Sequence, residues 1–303
     1  MLPLLSALAA SSVASPTYTQ SYADKSSLRV QLIGEGADVL RVTVFPPGTA
    51  AADAEQGYRD WMRSVAPSTS AGLSAAKGAA GTVLSTPRGI FELTVGKSAP
   101  TTKLSVNGAV VSEEVRPVSA ERGAACLPPG WTQLDAVKGS SAGTMAATLS
   151  GTADESCLRH TRSLAPGEDL YGFGQVPQAG LSAVGDAKLL ATSSRNQVDG
   201  PSHAPAPFYV SIQGKGVAHG FLLSTGRYSM FDLGNATKDE IRIHSPEKVM
   251  DYFLFVGPTP AAVIAQMTSI SGRPPLPRKY LVQPLPLRLL SSLKEAAAQR
   301  RGR

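Results

Sequence analysis

Met250-Asp251-Tyr252-Phe253-Leu254-Phe255-Val256-Gly257-Pro258-Thr259-Pro260 is the stretch whose reading decides the fold. Residues 249–256 are rich in aromatic and β-branched side chains and end at Gly257-Pro258, which marks a strand with a defined stop. Thr259 then suits a helix N-cap and Pro260 the first helical position. Val263, Met267 and Ile270 follow at i, i+4, i+7, and Gly272 before Arg273-Pro274 closes the helix. One strand therefore hands over to one short helix.

Upstream the pattern is strands alone. Ala206-Pro207-Phe208-Tyr209-Val210-Ser211-Ile212 and Gly216-Val217-Ala218-His219-Gly220-Phe221-Leu222-Leu223 read as neighbours joined by Gln213-Gly214-Lys215. Residues 227–234 and 240–243 continue the series. Leu28, Val30 and Leu32 alternate with polar residues, as do residues 39–44, around Gly34-Glu35-Gly36. Residues 81–86 and 89–95 read as further strands, and Asn107-Gly108 between two alternating runs is a strong hairpin signal. The stretch 67–81 is almost all Ser, Ala, Gly and Thr, and reads as a surface loop. Many strands at short spacing, without interleaved helices, predict an all-β, antiparallel β-sandwich with a short C-terminal helix.

Composition agrees. The 303 residues are 42% hydrophobic and 17% charged, with 29 Gly and 23 Pro favouring turns over long helices. A net charge of +6 could suggest nucleic acid, but five cations against one anion fall between Leu285 and Arg303, and Arg273, Arg278 and Lys279 add three more. The body is near neutral, so no nucleic-acid partner is expected. No apolar run reaches the length of a membrane span. Leu2–Ala10 followed by small residues to Pro16 resembles a signal peptide without its basic start, so residues 1–26 read as a possible signal peptide and leader. The secretory pathway or the extracellular space is the favoured setting. Cys126 and Cys157 flank a Gly/Ser/Thr-rich segment; a disulfide and a reduced buried pair both fit.

Asp169-Leu170-Tyr171-Gly172-Phe173-Gly174-Gln175, the 250–260 stretch and Ser271-Gly272-Arg273-Pro274-Pro275-Leu276-Pro277 together resemble the N-terminal, galactose-mutarotase-like sandwich of glycoside hydrolase family 31, the α-glucosidase and α-xylosidase family. The resemblance runs from about Leu28 to Lys279 and is most specific from Asp169 onward. It implies a sandwich domain over 27–257, a helix and linker over 258–284 toward a catalytic (β/α)8 barrel, and a basic tail over 285–303. The family's two catalytic carboxylates lie on that barrel, for which this chain has no counterpart, so the resemblance implies no catalytic residue here and a chain truncated relative to the family.

What it does imply is a loop at the barrel mouth. Arg195-Asn196-Gln197-Val198-Asp199-Gly200 matches that loop, so Asn196 and Asp199 are the candidate binding residues for a carbohydrate, an α-glycoside. Asn donates and accepts in one plane and ionised Asp accepts, which suits sugar hydroxyls. The same residues also cap their own turns in loops. Family members often carry Asn-x-Asp here, and this chain has one residue more.

Tyr171 and Phe173 are expected to pack in the sandwich, with Gly172 and Gly174 permitting a tight backbone. Asp232 and Asp251 are expected to fix turns or strand ends. His160, His203, His219 and His244 show no metal-ligand spacing, and Gly172-x-Gly174 lacks the rest of a dinucleotide motif, so neither metal nor cofactor is expected. The alternative function is a stand-alone sugar-binding or protein-interaction sandwich. A mutarotase-type epimerase would need a paired His and Glu, for which the sequence gives no spacing signal.

Overall fold

The computed structural model describes residues 16–33, 39–54, 72–86, 91–122, 126, 156–174, 180–190, 205–227, 229–273 and 276. Among the described residues sixteen strands form two sheets, and every strand pairing is antiparallel. The smaller sheet has seven strands in the order β1 (Thr17–Ser21), β2 (Ser27–Ile33), β3 (Val39–Phe45), β16 (Met250–Gly257), β13 (Ala218–Leu223), β12 (Pro205–Ile212) and β10 (Asp169–Gly174). The larger has nine: β11 (Ala187–Leu190), β14 (Ser229–Leu233), β15 (Glu240–Ser245), β9 (Ser156–Ser163), β8 (Ala109–Arg122), β7 (Thr102–Val106), β6 (Phe91–Gly96), β5 (Gly81–Ser85) and β4 (Ser74–Lys77).

The core lies between the sheets because alternate residues of both supply it. Leu28, Val30 and Leu32 of β2 meet Leu40, Val42 and Val44 of β3 and Tyr252, Leu254 and Val256 of β16, facing Leu93, Leu104, Ile241 and Phe231 from the larger sheet. The Asn107-Gly108 turn has φ values of 50° and 78° and joins paired Val106 and Ala109, the left-handed pair that a two-residue hairpin requires. Ile33 pairs with Val39 across the Gly34-Glu35-Gly36 turn, whose own residues lie outside those described.

The smaller sheet is apolar on its outer face too. Phe253 and Phe255, the odd residues of β16, join Phe208, Val210 and Leu222 in a second cluster closed by Val263 and Ile270 of helix α1 (Pro260–Ser271). The helix starts as its sequence predicts: Ala262 N donates to Thr259 Oγ1 at 3.3 Å, and Gly272 at φ 79° ends it. Gly220 lets it lie close, since a Cβ there would stand 2.6 Å from Val263 Cγ1. Burying Val263 and Ile270 contributes about 1.5–3 kcal/mol each.

Four strands escape the sequence reading or correct it. Ser74–Lys77 is an edge strand on β5, although its small polar residues read as loop; backbone pairing, not side-chain burial, holds it. β1 pairs with β2 within a stretch read as leader. β9 and β11 carry too many polar residues to announce themselves, because β9 buries its charges (below) and β11 is four residues long.

Candidate functional site

Asn196 and Asp199 lie outside the described residues, as does Gln175. The described residues that flank them are Leu190, the last of β11 at the edge of the larger sheet, and Pro205, the first of β12 in the smaller sheet.

On β10, the edge strand of the smaller sheet, the backbone is unusual. Gly172 has φ 140°, and a Cβ on it would stand 2.5 Å from the Phe208 carbonyl oxygen, so only glycine fits. The β10–β12 register shifts between Gly172 and Gly174. Phe173, inside this bulge, holds φ 67° and is fully buried, with its ring 5.7 Å from Tyr209, 5.4 Å from Phe231 and 5.8 Å below Lys188 Nζ. Burial of the ring holds a left-handed conformation that is costly for a bulky residue. Phe173 therefore packs as expected, and Tyr171 is half-buried. Lys188, buried on β11, pairs with Asp186 at 3.1 Å.

Two polar clusters lie between the sheets. In the first, Arg162 donates to Glu168 at 2.7 Å and to Tyr209 Oη at 2.9 Å, while Ser211 Oγ donates to Glu168 at 2.6 Å. Burial alone would raise the Glu168 carboxyl, but the Arg162 guanidinium and the hydrogen bonds bring it below its usual range. His219, a cross-strand neighbour of Ser211, has neither ring nitrogen bonded. Burial, and then the nearby Arg162 charge, push its imidazole down to about 3, so it is neutral.

In the second cluster Glu114 accepts from Tyr252 Oη at 2.6 Å and from the Thr102 amide at 2.8 Å, and it meets His160 Nε2 at 2.7 Å. Burial, then the Glu114 charge, raise the Tyr252 phenol well above its usual range. Here is the His/Glu pair that the sequence did not reveal, its members 46 residues apart. Both side chains are at most 3% exposed, and Phe221 and Tyr252 pack on the imidazole. The pair is buried within the larger sheet, and the Tyr252 hydrogen bond to Glu114 ties that sheet to the smaller one.

Asp232 fixes a turn as expected, accepting from the amides of Asn235 and Ala236. Asp251 does otherwise: it forms a buried ion pair with Arg41 at 2.9 Å and accepts from Thr43 Oγ1 at 2.8 Å, joining β16 to β3. His244 hydrogen-bonds the backbone of Cys126, and burial, then Arg159, lower it to about 4. His203 lies outside the described residues. Among the described residues no three His, Cys, Asp or Glu side chains converge to hold a metal, and no helix is long and apolar enough to cross a membrane. Sequence reading missed Arg162, Glu168, Glu114 and His160. The one signal for Arg162, Glu114 and His160 was an ionisable residue at a core-facing position of a strand, and Glu168, in the turn before β10, gave none.

No protein-family profile matches the chain. It is 30% identical over 117 residues to alpha-glucosidase 2 of Bacillus thermoamyloliquefaciens, a match covering 37% of this chain and 14% of that protein. An alpha-glucosidase of Hordeum vulgare is 32% identical over 127 residues, 40% of this chain and 14% of the other. Alpha-xylosidase XylQ of Lactiplantibacillus pentosus is 27% identical over 122 residues, 40% of this chain and 15% of the enzyme. Among solved structures, a GH31 dextranase of Flavobacterium johnsoniae complexed with glucose superimposes at TM-score 0.62 and 14% identity, over 88% of this chain and 28% of the dextranase. A GH31 alpha-xylosidase from a soil metagenome, complexed with xylose, does so at TM-score 0.58 and 19% identity, over 88% and 35%. The fold is shared across nearly the whole chain, which spans about a third or less of the enzymes that share it.

Proposed function

We propose that this chain, which resembles the N-terminal β-sandwich of glycoside hydrolase family 31, serves an α-glycosidase as its sugar-facing, non-catalytic domain. The observation that carries this reading is the asymmetry of coverage: 88% of this chain fits within 28% of a GH31 dextranase, and the sequence relatives are α-glucosidases and an α-xylosidase.

In the proposed division of labour, a (β/α)8 barrel carries the carboxylate pair, about 5 Å apart, that retaining hydrolysis requires. The sandwich contributes the loop around Asn196 and Asp199. Its two ends spring from different sheets, so the sandwich fixes both ends of the loop. Asp199 accepts a hydrogen bond from a sugar hydroxyl, and Asn196 donates or accepts beside it. The reading is tested by joining the chain to a barrel segment of the family and measuring aryl α-glucoside and α-xyloside turnover. The joined protein turns over substrate and the chain alone does not. Turnover by the chain alone, abolished by changing one of its own carboxylates, overturns the reading.

One observation favours the alternative of a free-standing sugar-binding or protein-interaction module. The outer face of the smaller sheet is closed by α1 of the same chain, and the large apolar residues exposed among those described are few: Val110 and Val115 on β8, Leu181 and Val184 between β10 and β11, Ile264 on α1, and Leu276. A monodisperse, thermally stable monomer supports that module; self-association supports a sandwich made to pack against a barrel.

A further inference from the structure

We propose that the Cys126–Cys157 disulfide is a redox lock on the larger sheet, and that the chain matures in an oxidising compartment. The proposal is independent of any role toward sugars. Both cysteines of the chain are in this bond, with a Cα–Cα distance of 5.8 Å, within the range that a disulfide spans.

Its position gives it a task. β8 ends at Arg122, β9 starts at Ser156, and Glu121 and Arg122 pair with Cys157 and Ser156. The intervening sequence is rich in Gly, Ser, Ala and Thr. The bond closes a sequence separation of 31 residues beside the first rungs of the β8–β9 ladder. Cys126 is held on its other side by His244 of β15. Cys126 is thereby fastened to β9 and β15 at once. Farther along β9 come His160 and Arg162, the members of the two buried polar clusters that the larger sheet must hold in register.

Formation needs an oxidant, here the disulfide of an oxidised thiol–disulfide carrier. One cysteine thiolate attacks the carrier disulfide, making a mixed disulfide and releasing one carrier thiolate. The second cysteine thiolate then attacks the sulfur of the first, expelling the other carrier thiolate. Two electrons pass to the carrier, and the two cysteine protons leave to solvent or to the carrier thiolates. Cys157 is 5% exposed while Cys126 is half-buried, so a small phosphine reaches the bond from the Cys126 side.

The test is thiol titration of the chain purified without reductant, combined with thermal unfolding before and after phosphine reduction. Expected are no free thiols in the folded protein, two after reduction, and a fall in Tm of roughly 5–10 °C. Cys126→Ala/Cys157→Ala should reproduce the lower Tm and ignore phosphine. If that variant does not fold, reduction of the folded wild-type chain decides alone. Secretion from a host should yield more folded chain than production in its reducing cytosol. Two titratable thiols before reduction, a Tm unmoved by reduction, or equal yield at equal Tm from both compartments overturns the proposal.

Discussion

The two sheets solve the same problem differently. In the smaller, β16 is buried along its whole length, because its even residues face the inter-sheet core, Phe253 and Phe255 face α1, and Asp251 pairs with Arg41. In the larger, β15 alternates, with Ile241 and Ile243 inward and Glu240 and Arg242 outward. Among the described residues the outer face of the larger sheet carries ion pairs, Arg116 with Glu240 and Arg159 with Glu121. A strand covered on both sides reads as a continuous apolar run, and a strand covered on one side reads as an alternation. The difference teaches where stability resides: in the inter-sheet layer and under the helix, and little in the solvated face.

Breaking the inter-sheet layer should have the largest effect. Arg162→Ala leaves Glu168 buried without its partner, and about 3–5 kcal/mol of stability should be lost in urea unfolding. A loss below about 1 kcal/mol would mean that water replaces the guanidinium and that this layer is less sealed than its burial indicates. Next comes the helix-covered face. Ile270→Ala should cost about 2–4 kcal/mol by opening a cavity under α1, and a cost near zero would mean that the helix does not close the sheet in solution.

Acid should act on the inner layer with a defined sign. His219 has a folded pKa of about 3 against an ordinary value of 6.5, so the unfolded chain binds its proton first as pH falls. Its contribution is complete above pH 6.5 and erodes down to about pH 3, at about 1.4 kcal/mol per pH unit. Between pH 7 and 5 it should therefore remove about 2 kcal/mol. Glu168, with its lowered pKa, adds to the loss only at pH below its unfolded value. His219→Gln should flatten the slope between pH 6.5 and 5; an unchanged slope there would place the acid response elsewhere. The smallest effect belongs to the solvated face, where Arg116→Ala should change stability by less than about 1 kcal/mol.

The fold was legible where side chains obey one rule at a time. Residues 250–272 carry a strand, a stop, a cap and a helix in order, and the Asn107-Gly108 turn needs only its own two residues. β9 was illegible because Arg162 and His160 are charged or polar in type yet buried in place, each satisfied by partners, Glu168 and Glu114, that only the folded chain brings near. β4 was illegible because Ser-Ala-Ala-Lys has no pattern and is held by its neighbour's backbone. The candidate binding residues rest on resemblance rather than pattern: an Asn and an Asp in a polar loop look the same whether they meet a sugar or cap a turn.

The central claim is that the Asn196–Asp199 loop meets the sugar when the sandwich stands against a catalytic barrel. The most direct test is kcat/KM for an aryl α-glycoside measured on the barrel-joined protein, with and without Asp199→Ala. Loss of a hydrogen bond to the sugar predicts a fall of roughly 10- to 100-fold, with unfolding stability changed by less than about 0.5 kcal/mol. An unchanged kcat/KM in a folded Asp199→Ala protein would contradict the claim and leave Asp199 as a residue that shapes its own turn.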